Sequence, residues 1–149
     1  MQKAIQKTRR KRTAGDNSGG LLFLAATDLG GLHIKIVRSD GIVQKEVNIN
    51  EKQLRKYGAS FVVTSACKKA IGSPEKLAAV IVEQCSGSFT NLRLTVSVAN
   101  TFGWLYCVPV CTTENWNSFF LSKKNYSKLN FIVPRYSKEP NITVSRKSI

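Results

Sequence analysis

Residues 72–84, Gly-Ser-Pro-Glu-Lys-Leu-Ala-Ala-Val-Ile-Val-Glu-Gln, decide more about the fold than any other stretch of this chain. Ser73 is a natural helix cap, Pro74 suits the first helical position and Glu75 adds a carboxylate to the first turn. Val80-Ile81-Val82 argues the other way, because β-branched side chains lose rotamers in a helix and pack well on a pleated sheet. A turn at Ser73-Pro74 followed by a strand from Leu77 satisfies the same residues. With a strand here the chain is mainly β; with a helix over 74–84 it is α+β.

The remainder reads mostly as strands. Leu21 to Ala26 is a short apolar run stopped by Asp28 and the Gly30-Gly31 pair. Leu32, Ile34 and Ile36 alternate with His33 and Lys35, Ser39-Asp40-Gly41 is a turn, and Ile42 to Ile49 returns, which predicts a hairpin. Asn50 to Gly58 carries a cap, a Gln three residues on and a glycine stop, enough for a turn or two of helix. Ala59 to Ala66 is β-type through Phe61-Val62-Val63-Thr64. Leu92, Leu94, Val96 and Val98 alternate with Arg93, Thr95, Ser97 and Ala99 as in a half-buried strand. Trp104 to Val108, Ser118 to Leu121, Phe131 to Val133 and Ile142 to Val144 complete the succession. The expectation is an antiparallel, jelly-roll-like β-sandwich with one or two short helices; the alternative is α+β with a helix at 74–84.

Charge adds a second constraint. The net charge is +14, from 23 Lys and Arg against nine acids. Lys3, Lys7, Arg9, Arg10, Lys11 and Arg12 precede the first acid, Asp16; subtracting these six and the nine acids from 23 leaves +8 beyond Arg12. So dense a run repels itself and has little to bury, so residues 1–20 are expected to be a disordered basic arm ahead of a single β-rich domain at 21–149. A polyanion would neutralise it, and nucleic acid is the usual one. Lys123, Lys124 and Lys128 form a second basic segment, interleaved with Trp116, Tyr126, Phe131 and Tyr136. Bases could stack on such rings, although Phe119, Phe120 and Phe131 read more simply as core. The arm and the three later lysines are the expected nucleic-acid-binding residues. No apolar run is long enough to span a membrane.

Catalytic motifs are absent from the sequence. The carboxylates Asp28, Asp40, Glu46, Glu51, Glu75, Glu83, Glu114 and Glu139 are scattered, and His33 is the sole imidazole. Cys67, Cys85, Cys107 and Cys111 form neither a disulfide framework nor zinc-ligand spacing. No catalytic residue, metal or cofactor is expected, and the chain is not expected to be an enzyme.

The features Thr8-Arg9-Arg10-Lys11-Arg12, the polar link Asp16-Asn17-Ser18-Gly19-Gly20 and the strands after Leu21 resemble the coat proteins of very small, satellite-type icosahedral RNA viruses. That resemblance implies a jelly-roll capsid protein that self-assembles, on the order of sixty copies to a shell, and packages RNA through sequence-independent phosphate contacts of its arm. It implies a virion location after assembly in host cytoplasm. The alternative is a ribosomal or organellar-ribosomal protein threading its basic tail into rRNA.

Overall fold

Gly20 to Ala26 is buried along its whole length, the mark of a central strand covered on both faces. This strand, β1, pairs antiparallel with β2 (Leu32–Val37), which pairs antiparallel with β3 (Val43–Ile49). On its other side β1 pairs in parallel with β4 (Leu77–Glu83), and β4 in parallel with β5 (Val110–Thr113). The result is one open sheet of order β3-β2-β1-β4-β5. The structure is a computed structural model that describes residues 19–84, 87–114 and 131–136.

Parallel neighbours need crossovers, and the helices supply them. β3 reaches β4 through α1 (Glu51–Tyr57), α2 (Ala59–Ile71) and a 3-10 turn at Pro74–Lys76; β4 reaches β5 through α3 (Phe89–Tyr106). Asn50 caps α1 with a reciprocal capping box to Gln53. α2 and α3 cover the face of the sheet that carries Leu22, Leu24, Ile34, Ile36, Val80 and Val82. The opposite face holds a smaller buried cluster of Leu21, Phe23, Ala25, Val37, Ala79 and Ile81, to which no described helix contributes. None of the described helices is long and apolar enough to cross a membrane.

Residues 72–84 follow the turn-then-strand alternative and not the helix. Ser73 caps only one 3-10 turn, accepting from the Glu75 N–H at 3.2 Å, and the strand begins at Leu77. The β2–β3 hairpin and the short helix after Asn50 form where the turn and cap residues place them.

The β-sandwich is corrected: a single open, mixed sheet with helices replaces two packed antiparallel sheets. The α+β alternative is corrected in its helix, because 77–83 is a strand and the helices lie at 51–57, 59–71 and 89–106. Ala59 to Ala66 is helical, since Ala59, Val63, Ala66 and Cys67 recur at helical spacing and are the residues buried. Leu92 to Ala99 and Trp104 to Tyr106 belong to α3. Its buried residues are Asn91, Leu92, Thr95, Val96, Val98, Ala99, Phe102 and Gly103, while Leu94 is exposed, so burial follows helical spacing and not alternation. Phe131 is 72% exposed, not core, and residues 131–133 form no strand. The expected strands at 118–121 and 142–144 lie outside the described residues.

α3 presses on the edge strand β5 at Gly103, where a Cβ would collide with Val110 Cγ2 and sit 3.1 Å from the Val108 carbonyl. Gly103→Ala is expected to cost about 1–3 kcal/mol by overpacking. In a thermal melt that is a midpoint lowered by roughly 2–10 °C.

Candidate functional site

In an open sheet with parallel strands, ligands bind at the strands' carboxyl ends, where chain direction changes. Here that edge is formed by the ends of β1, β4 and β5, the turn Thr27–Gly31 leading into β2, and the start of α3.

The turn is tied down from within and from without. The Gly31 N–H donates to Thr27 Oγ1 at 2.9 Å, the Thr27 N–H to the Gly31 carbonyl at 3.0 Å, and the Gly30 N–H to the Thr27 carbonyl at 3.2 Å. Gly30 has φ +79°, a conformation that side chains rarely adopt. A Cβ on Gly31 would strike the Ile49 carbonyl, so only glycine lets β1, β2 and β3 close together at this point. The buried Asn91 amide then reaches across from the first turn of α3, donating to the Gly31 carbonyl and, at 3.5 Å, to the Thr27 carbonyl.

α3 is seated with equal closeness. Gly87 has φ +75°, and a Cβ there would come within 2.6 Å of the Ala26 Cβ. Ser88 caps the helix by accepting from the Asn91 N–H at 3.3 Å. Within the described residues, the backbone N–H groups of Asp28 and Leu29 in the turn, and of Phe89 and Thr90 in the helix, have no protein acceptor. Two sets of free donors therefore share one rim. Leu29 stands 88% exposed at its tip.

Carboxylates gather at the same edge of this very basic protein. Asp28 is exposed in the turn, and Glu51 packs against Gly30, whose Cβ would lie 3.3 Å from Glu51 Cδ. Glu83 and Glu114 end or follow β4 and β5. Burial raises the Glu83 carboxyl above the usual carboxylate range, with His33 pulling the other way. His33 is itself paired with Glu46 at 2.8 Å across the β2–β3 hairpin. Among the described residues, no three His, Cys, Asp or Glu side chains come together closely enough to hold a metal ion unaided. The rim is closed on one side by residues 131–136: Gln84, buried, donates to the Val133 carbonyl at 3.0 Å and accepts from the Arg135 N–H at 2.8 Å.

The expected nucleic-acid residues Lys3, Lys7, Arg9, Arg10, Lys11, Arg12, Lys123, Lys124 and Lys128 lie outside the described residues. In the sequence Asp28 and the Gly30-Gly31 pair mark only the end of a strand, and Asn91 carries no signal of its role. Asp28 followed by two glycines was the available signal for a hairpin turn, and Ser88 three residues before Asn91 for a helix start.

No family model and no curated protein sequence matches the chain. Solved structures do. YeaZ from Pseudomonas aeruginosa superposes with a TM-score of 0.52 at 15% identity, over 65% of this chain and 43% of that one. An uncharacterized protein with similarity to peptidase YeaZ from Pseudomonas aeruginosa gives a TM-score of 0.52 at 15% identity, over 65% of this chain and 44% of that one. The likeness is one of fold. This chain spans less than half the length of either protein.

That fold overturns the coat-protein resemblance and what followed from it: the capsid function, the virion location and the self-assembling icosahedral shell. The ribosomal alternative and its ribosome location are overturned with them. The coat-protein resemblance rested on the basic arm, the polar link and a succession of strands; residues 59–66 and 92–99 of that succession are helical, and the strands that do form make a YeaZ-like open sheet.

Two measurements test the site. Asn91→Ala would leave the Gly31 and Thr27 carbonyls without the amide, at an expected cost of about 1–3 kcal/mol in denaturant unfolding. Glu83 provides a pH test. A carboxyl whose folded pKa is raised favours the fold below its unfolded pKa, and that contribution is lost as pH rises through the folded value. Glu83→Gln should therefore gain thermal midpoint relative to wild type as pH goes from about 4 to about 7, with little difference at the acid end.

Proposed function

We propose that this chain is a binding domain for a phosphate-bearing ligand of the nucleoside polyphosphate class, held together with a divalent cation at the carboxyl edge of its sheet. The observation that carries this reading is the Thr27–Gly31 turn, clamped by Asn91 against the start of α3 with Asp28 at its tip. Free N–H groups on the turn and at the helix start would receive phosphate oxygens, and the helix dipole favours negative charge there. Asp28 would hold the cation. Magnesium is commonly bound by one or two carboxylates plus the ligand's own phosphates, which suits a rim whose side chains do not assemble a metal cage themselves. The cation also removes the repulsion between phosphate and the carboxylates gathered at this edge.

The domain is proposed to bind rather than to catalyse. Cys67 is buried in the core and its thiol is pushed up to about 12 by burial, which suits packing and not nucleophilic attack. His33 is engaged by Glu46 across the β2–β3 hairpin. Peptidase similarity, the wording attached to one fold neighbour, draws no support from these placements.

The basic arm and the lysines at 123, 124 and 128 are proposed, on charge alone, to contact RNA phosphates without reading sequence. Self-association between copies is likewise a proposal, to be read by light scattering.

Thermal shift with ADP or ATP, with and without magnesium, checks the rim. A ligand at about one hundred times its Kd should add roughly 3 kcal/mol, a rise on the order of 5–10 °C. Asp28→Asn is expected to abolish the magnesium-dependent part. No shift with any nucleotide, with or without the cation, would sink the reading.

A further inference from the structure

Away from the rim, a cleft of about 190 Å³ lies between α2 and the edge strand β3. Its floor is Ile34, Val47 and Ile49, alternate residues on the helix-bearing face of β2 and β3, and its walls include Phe61, Lys45 and Lys69. Phe61 and Lys69 are two turns apart on one stripe of α2, so the ring and the ammonium line the same wall. Phe61 is 61% exposed. The Tyr57 ring lies beside it with centroids 6.0 Å apart and planes 24° from parallel, and the Lys56 ammonium sits 5.1 Å from the Tyr57 centroid.

We propose that this cleft and its aromatic step form a binding site for single-stranded nucleic acid. Exposed flat rings flanked by cations are what a strand of bases and phosphates requires: a base stacks on the ring and the neighbouring phosphates meet the ammonium groups. Glu51, the acid nearest this step on α1, already pairs with Arg55 at 2.5 Å, so it leaves the lysines to an outside anion. An acidic peptide would also satisfy the lysines but has no use for the open ring faces. A Cβ on Gly20 would lie 3.3 Å from Ile71 Cδ1, so the chain enters β1 beside the end of α2 that carries Lys68 and Lys69. This site is separate from the rim and does not depend on the nucleotide reading.

Fluorescence anisotropy of a labelled uridine 12-mer, titrated against the full chain over a range of salt, tests the proposal. Phe61→Ala should weaken binding about tenfold with no change in salt slope, and Phe61→Trp should restore it. Lys45→Gln combined with Lys69→Gln should weaken binding and lower the slope by about 1.4, two single-strand phosphate contacts. A thymidine 12-mer distinguishes DNA from RNA by the same readout. Asp28→Asn is expected to leave binding unchanged, so the two sites succeed or fail separately. Variants that bind like wild type while removal of residues 1–12 abolishes binding would overturn the proposal. So would poly-glutamate competing as well as the oligonucleotide with Phe61→Ala losing nothing.

Discussion

A single buried amide ties the crossover helix to the turn at the carboxyl edge of the sheet. Asn91 comes from the crossover between the parallel strands β4 and β5, yet it bonds the carbonyls of the turn between the antiparallel strands β1 and β2. Each of those carbonyls also accepts a backbone N–H within the turn, so the amide adds a second bond that ties helix position to a turn already closed on itself. Gly87 and Gly31 complete the arrangement by letting backbone approach backbone where a side chain would collide. With its carbonyls engaged inside, the turn directs unused N–H donors to the rim. The chemistry proposed for the rim is a consequence of that internal satisfaction.

Charge is divided in a way that follows the topology. The chain carries +14 overall, but Asp28, Glu51, Glu83 and Glu114 stand along the carboxyl edge, each near the end of a strand or the start of a helix. Lys56 of α1 stands instead over the exposed Tyr57 ring, and Lys69 of α2 lines the cleft toward β3 with Phe61. Two surfaces of opposite character on one sheet suit two ligands of different design. One needs a metal to approach carboxylates; the other needs only phosphate and a flat base.

The errors of sequence reading share a cause. Alternation at Leu92, Leu94, Val96 and Val98 looks like a strand because Thr95 and Ala99 stand among its polar or neutral positions. In the fold these small residues are on the buried face, and Thr95 donates its hydroxyl to the Asn91 carbonyl at 2.8 Å, so it costs little to bury. At Ala59 to Ile71 the β-branched run was overridden because Val63, Ala66 and Cys67 meet the sheet on one helical stripe. Local preference is worth a few tenths of a kcal/mol per residue, and burial of one such face outweighs it.

By itself the sequence determined the features that are settled within a few residues. These are the apolar β1, the Asp40-Gly41 hairpin, the Asn50 capping box and the strongly basic balance. Turn and cap geometry depend on neighbours in the chain, so they can be read there. Only the tertiary structure decided that β4 lies parallel beside β1, that the segments at 59–71 and 89–106 are helices, and that Asn91 finds a turn sixty residues away. Each of those depends on burying a face against a partner remote in sequence, and pattern along the chain does not say which partner that is.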